Sequence, residues 1–203
     1  MKKMFFLFAV LLSITVQNLR AQDADVVNFT VILEDLFDIT VINGNDQTAT
    51  FSTALEYNFG VWEGAGIASG TSDVTMETTG NWNCTIDALD FGPANPQLIP
   101  IDNLGVWIDA LGAHTIATGE VVYGCTAPAS TQGLTNAAAP LISKGAGENS
   151  GDASDNLFRL HWRMGTRDNV SMHATSMFDQ MANGDFDPGT YTTTVNLTLT
   201  PTP

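Results

Sequence analysis

Between Gln22 and Ser143 the chain has no lysine and no arginine, although the same stretch holds fifteen carboxylates. A surface of that sign repels phosphate backbones and anionic lipid, which excludes nucleic acid as a partner and favours divalent cations, basic partners or plain solubility. Cysteine is nearly absent, with only Cys84 and Cys125. The chain also lacks a Gly-x-Ser-x-Gly elbow, a phosphate loop, a His-Glu-x-x-His helix and a dinucleotide fingerprint, so no familiar catalytic motif marks it as an enzyme. After residue 21 no apolar run approaches membrane-spanning length, and no integral membrane segment is expected in the mature chain.

What is present begins with an apparent export signal. Lys2 and Lys3 precede an apolar run from Met4 to Val16, and Ala21 offers a small residue for cleavage before Gln22. Residues 1–21 therefore read as a signal peptide of bacterial type, and the mature chain is expected in the secreted or cell-surface fraction. Four bases then face twenty-two acids, a formal charge of −18. In an oxidising compartment Cys84 and Cys125 are expected to pair, closing a loop of about forty residues and contributing roughly 3 to 4 kcal/mol. Two reduced core thiols are the alternative, because spacing alone cannot bring two Cα atoms within bonding range.

The remaining 22–203 suit a single domain. Gly, Thr, Asn and Asp are abundant, while the residues that fill exposed helix faces are scarce, so strands and turns are expected. The clearest strand is Gly189 to Thr200: Tyr191, Thr193, Val195, Leu197 and Leu199 alternate with Thr192, Thr194, Asn196, Thr198 and Thr200. Val27, Phe29, Val31 and Leu33 alternate near the other end, followed by Ile39, Val41 and an Asn43-Gly44 turn. Further strands are expected at 48–57, 73–78, 81–89, 105–111, 115–123 and 157–164. A short helix capped by Ser176 and ended by Gly184 should turn Met177, Phe178 and Met181 one way, as a lid on the core. Segment 126–156 reads as a long loop with an extra edge strand at 139–143. The fold class is an all-β, single β-sandwich of Ig-like or Greek-key type.

The run from Phe186 to Thr200 resembles the closing strand of bacterial surface β-sandwich families, notably spore coat U-like and WxL-like domains, which end in a glycine-threonine-tyrosine turn feeding an alternating strand. The residues around Phe51 to Tyr57, Gly60 and Asn81-Trp82-Asn83-Cys84 are similar to early strands of such proteins. Val195-Asn196-Leu197 stands where the WxL tryptophan motif would be. The resemblance implies a structural, adhesive or assembly role at the cell surface, and it carries over no catalytic residue.

Two constellations are candidate sites. Asn183, Asp185 and Asp187 place side-chain oxygens at every second position, with Glu148, Asp152 and Asp155 as further donors for calcium, and solvated turns are the plainer account. In 157–164, Phe158, Leu160, Trp162 and Met164 face one way and Arg159, His161 and Arg163 the other. That cationic stripe is suited to an acidic patch on a second copy or to an acidic glycan, unless carboxylates of its own sheet pair with it. Assembly by strand exchange is a further route, with 23–33 and the C-terminal strand suitable in pattern. The functional expectation is a non-enzymatic extracytoplasmic structural or adhesive protein, in its sharpest form a fibre or pilus-like subunit. A carbohydrate-binding module is the alternative, which requires Trp62, Trp107 and Tyr123 to line a shallow face. A secreted glycoside hydrolase comes third, and a zinc site would require His114, His161 and His173 to converge.

Overall fold

The computed structural model describes residues 36–63, 66–67, 70–92, 97–165 and 171–202, all within one compact unit. The signal peptide and the alternating 23–33 segment lie outside the described residues. The chain builds two sheets. The larger contains β1 (Phe37–Asn43), β2 (Val61–Glu63), β3 (Gly66–Ile67), β4 (Thr71–Thr78), β6 (Leu104–Ala110), β8 (Gln132–Gly133) and β10 (Leu157–Met164). The smaller contains β5 (Trp82–Ala88), β7 (Val121–Val122), β9 (Ala139–Lys144) and β11 (Val195–Pro201), in the order β11-β5-β9-β7. Pairing is antiparallel throughout, except between β2 and β3. This is the expected all-β sandwich.

β10 organises the larger sheet. One of its sides pairs first with β4 and then with β2, and the other pairs with β6 along almost its whole length. Its alternation explains the position: Phe158, Leu160, Trp162 and Met164 are buried on the inner face. They meet Trp82, Cys84, Ile86 and Ala88, which alternate inward from β5. Trp82 and Phe158 touch edge to face at 6.0 Å between ring centroids. Each fully buried side chain of this size contributes about 1.5–3 kcal/mol through water exclusion, so the inner rows hold the layers together.

Trp82 also needs its polar groups satisfied. Asn149 supplies them from the loop before β10: its Oδ1 accepts the Trp82 amide at 3.1 Å, its Nδ2 donates to the Trp82 carbonyl at 2.9 Å, and its own carbonyl accepts the indole N–H at 2.6 Å. A side chain thereby acts as a short strand where the ladder ends.

Several expectations are corrected. Residues 54–59 form helix α1 (Ala54–Phe59), not the end of a strand over 48–57. Thr53 and Glu56 make a capping box, with Glu56 Oε2 accepting the amides of Ser52 and Thr53, and those bonds hold the Glu56 carboxyl below its ordinary pKa. The strand expected over 115–123 shrinks to β7, because Thr115 and Thr118 bond each other's backbone and Gly119 closes the turn at φ +76°. Within 126–156, β9 is a central strand between β5 and β7 rather than an edge.

Helix α2 (Met177–Asn183) has the expected Ser176 and Gly184 caps. Met177 is buried beneath it, but Phe178 points to solvent at 48% exposure, so the lid covers the core through Met177, Met181 and the buried Gln180, whose amide bonds Asn103. The expected disulfide is also corrected: Cys84 and Cys125 are free buried thiols. Cys84 is fixed by the ladder of β5 in the smaller sheet, whereas the Cys125 carbonyl is tied to the Ile108 amide of the larger one. Burial disfavours the thiolate and pushes the Cys84 pKa up to about 12.

Candidate functional site

The outward face of the larger sheet gathers the polar and aromatic side chains. Register places Arg159 between Asp73 of β4 and Asp109 of β6, His161 between Thr71 and Trp107, and Arg163 between Trp62 of β2 and Gly105. The period of two that buries Phe158, Leu160, Trp162 and Met164 turns Arg159, His161 and Arg163 outward together.

Every member of the cationic stripe is engaged by its own sheet. Arg159 grips Asp73 with two parallel bonds, Nε to Oδ1 at 2.7 Å and Nη2 to Oδ2 at 2.9 Å. The guanidinium holds the Asp73 carboxyl below its ordinary pKa. His161 meets Asp109 Oδ2 through Nε2 at 3.2 Å, and its ring lies parallel to the Trp107 indole, 5° between planes and 3.6 Å between centroids. The Arg163 guanidinium sits 5.2 Å from the centre of the Trp62 ring and donates through Nη1 to the Pro128 carbonyl at 2.9 Å. Burial lowers the Arg163 pKa, yet the group stays cationic at neutral pH.

A raised border flanks this platform. A Cβ on Gly105 would lie 2.7 Å from both the Met172 sulfur and the Thr131 methyl, so the absent side chain lets those residues settle onto the sheet beside Arg163. Trp62 is 39% exposed and the Asp109 side chain 49%. Trp107 is half-buried on the same face, while Tyr123 turns to the core and meets Phe158 edge to face.

The other candidates are placed differently. Asn183 ends α2, Gly184 is the left-handed cap, and the Asp185 amide bonds the Gln180 carbonyl, so the Asn-Asp alternation is a helix terminus. Asp187 gives its carbonyl to the Tyr191 hydroxyl. Asp152 caps Ser154 and Asp155 in its own turn, which lowers its pKa, and Glu148 accepts from Asn81. Among the described residues no group of three or more His, Cys, Asp or Glu side chains is placed to hold a metal ion. The histidines have separate partners as well: His114 bonds Asn156, His161 bonds Asp109 and His173 bonds Asp102.

A second feature lies between the layers. A cleft of about 810 Å³ opens beside β1 and β11, walled by Val74, Leu160, Trp162, Phe91, Met181 and Phe186. Alternation along the chain marks the β10 half of the outer platform, whereas Asp73, Asp109 and the Trp62–Arg163 pairing are brought together only by strand register. No helix among the described residues is long and apolar enough to cross a membrane. Compared with known proteins, the chain matches no protein-family model and no curated sequence.

Proposed function

We propose that this chain is a non-enzymatic structural and adhesive subunit that works outside the cytoplasm and assembles with further copies of itself through its sheet edges. The observation that carries this reading is the paired edge of β1 and β11. Among the described residues each strand is hydrogen-bonded on one side only, β1 to β4 and β11 to β5, and the apolar-walled cleft opens beside both. β1 also leaves Val41 and Ile42 exposed. Free strand edges with apolar side chains are templates for adding a strand from another chain.

The ionisable groups support contact over catalysis. Those of the outer face are paired along its strands, Arg159 with Asp73 and His161 with Asp109, whereas hydrolytic carboxylates need a cleft that raises one pKa. The export reading rests on the signal-like residues 1–21 and the acidic body.

Each copy carries about eighteen net negative charges after signal removal, so assembly is expected to strengthen as salt screens their repulsion. Sedimentation of residues 22–203 across protein and salt concentration, with negative-stain microscopy, tests this. Salt-promoted oligomers or filaments that Ile42→Lys weakens are expected. A chain that stays monomeric under every condition overturns the reading.

A further inference from the structure

The outer platform of the larger sheet has a property that the rest of the chain lacks. It gathers Arg159 and Arg163 near Asp73 and Asp109, while the exposed Asp38 and Glu77 lie farther along the same face on β1 and β4, on a mature chain whose formal charge is −18. Two of the four mature bases and two of the four tryptophans sit there, on neighbouring strands. A polymer approaching the β2 and β6 side of this face meets planar hydrogen-bonding groups and an indole around the two arginines.

We infer that this face is a binding platform for a neutral polysaccharide, with Trp62 as the stacking surface and Arg163 and Asp109 as the hydroxyl-recognising border. A pyranose ring has one face of C–H groups carrying slight positive charge, which suits the electron-rich face of an indole, while its equatorial hydroxyls point sideways toward donors and acceptors. Trp62 supplies the first element at 39% exposure. The half-exposed Asp109 carboxylate supplies an acceptor, and Arg163, whose guanidinium lies over one side of the indole, supplies donors.

The groups are already immobilised. Asp73 holds Arg159, Asp109 and the Trp107 stack hold His161, and Pro128 together with Trp62 holds Arg163. Binding therefore incurs little of the side-chain ordering cost that weakens most surface contacts. The buried Thr131 and Met172 pack over Gly105 and close the sheet face on that side.

Neutral sugar is favoured over acidic sugar. The carboxylate-gripping fork of Arg159 is already filled by Asp73, and the exposed Asp109 repels a uronic carboxylate. The platform is distinct from the edges of β1 and β11, so sugar binding and self-assembly are separable properties.

The test is affinity gel electrophoresis of residues 22–203 through β-1,3-glucan, xylan, mannan and galactomannan, with polygalacturonate and alginate as acidic counterparts. Retardation by at least one neutral polymer is expected, weakened about tenfold or more by Trp62→Ala and by Asp109→Ala. Both side chains are substantially exposed, and circular dichroism with thermal melting confirms that each variant remains folded. Sedimentation of the same samples reports assembly independently, so loss of one property does not imitate loss of the other. No retardation by any neutral polymer, retardation by the acidic polymers alone, or retention of full binding by the folded Trp62→Ala chain each overturns the inference.

Discussion

Arg159 and Asp73 sit opposite each other on adjacent strands and close a two-pronged ion pair at 2.7 and 2.9 Å, although 86 residues separate them in the chain. The Arg159 side chain keeps 38% of its surface in water while that of Asp73 keeps 12%. Asp73→Asn removes the charge from the more buried partner and should destabilise the fold by roughly 1–3 kcal/mol, read from urea unfolding. The pair also sets a pH dependence. Because Arg159 lowers the folded-state pKa of Asp73, the stabilisation is fully present above the unfolded value, about 3.9, and is lost as pH falls through the lower folded value. The wild-type chain should therefore lose more stability than Asp73→Asn on acidification below about pH 4. Parallel pH profiles for both chains refute this account.

Asn149→Ala should be among the more damaging single changes. It strips the Trp82 amide and carbonyl of their partners in a fully buried setting, and unsatisfied buried groups cost about 1–3 kcal/mol each. Thermal unfolding should show a large fall in Tm, with the Trp82 fluorescence environment changed in the native state. A loss comparable to a surface substitution counts against the clamp.

Gly105→Ala should cost about 1–3 kcal/mol through overpacking against Met172 and Thr131. A second change, Met172→Ala, opens space at the same point. The double variant should recover part of the loss that the glycine substitution alone produces, and strictly additive losses would show that the two residues do not compete for one volume.

The free thiols give a chemical readout. With Cys84 and Cys125 both buried and both thiol pKa values raised by burial, neither should react with dithionitrobenzoate in the native chain at pH 8. Both should react after denaturation in guanidinium. A denatured, unreduced chain that titrates no thiol would show that the two sulfurs are bonded.

Much of the architecture was legible in residue alternation. The inner and outer rows of β10 follow directly from Phe158-Arg159-Leu160-His161-Trp162-Arg163-Met164, and β4, β5 and β6 fall within a residue or two of the expected spans. The caps of α2 were legible because Ser176 and Gly184 act on their own neighbours. Helix α1 was not legible, because the run over 48–57 reads as a strand, and the capping box of Thr53 and Glu56 forms a helix there instead. Phe178 shows the limit of helical spacing on a short element: two turns against a curved core bury Met177 and leave its neighbour outside.

The candidate site was half legible. Alternation on β10 put Arg159, His161 and Arg163 on one face, a property of a single strand with period two. Their partners Asp73, Asp109, Trp107 and Trp62 arrive from three other strands, in registers set by how the inner rows interlock and by where β2 replaces β4 beside β10. The fate of the two sulfurs was likewise beyond the sequence, since ladder bonds from different sheets position them. The sequence by itself determined the charge, the strand-forming segments and the face each side chain takes, because these depend on composition and on neighbours one or two residues away. Only the tertiary structure decided which segments lie side by side, and so paired the expected cationic stripe with carboxylates and aromatic rings of three other strands, because strand pairing minimises the exposed core of the whole chain and not the preference of any one segment.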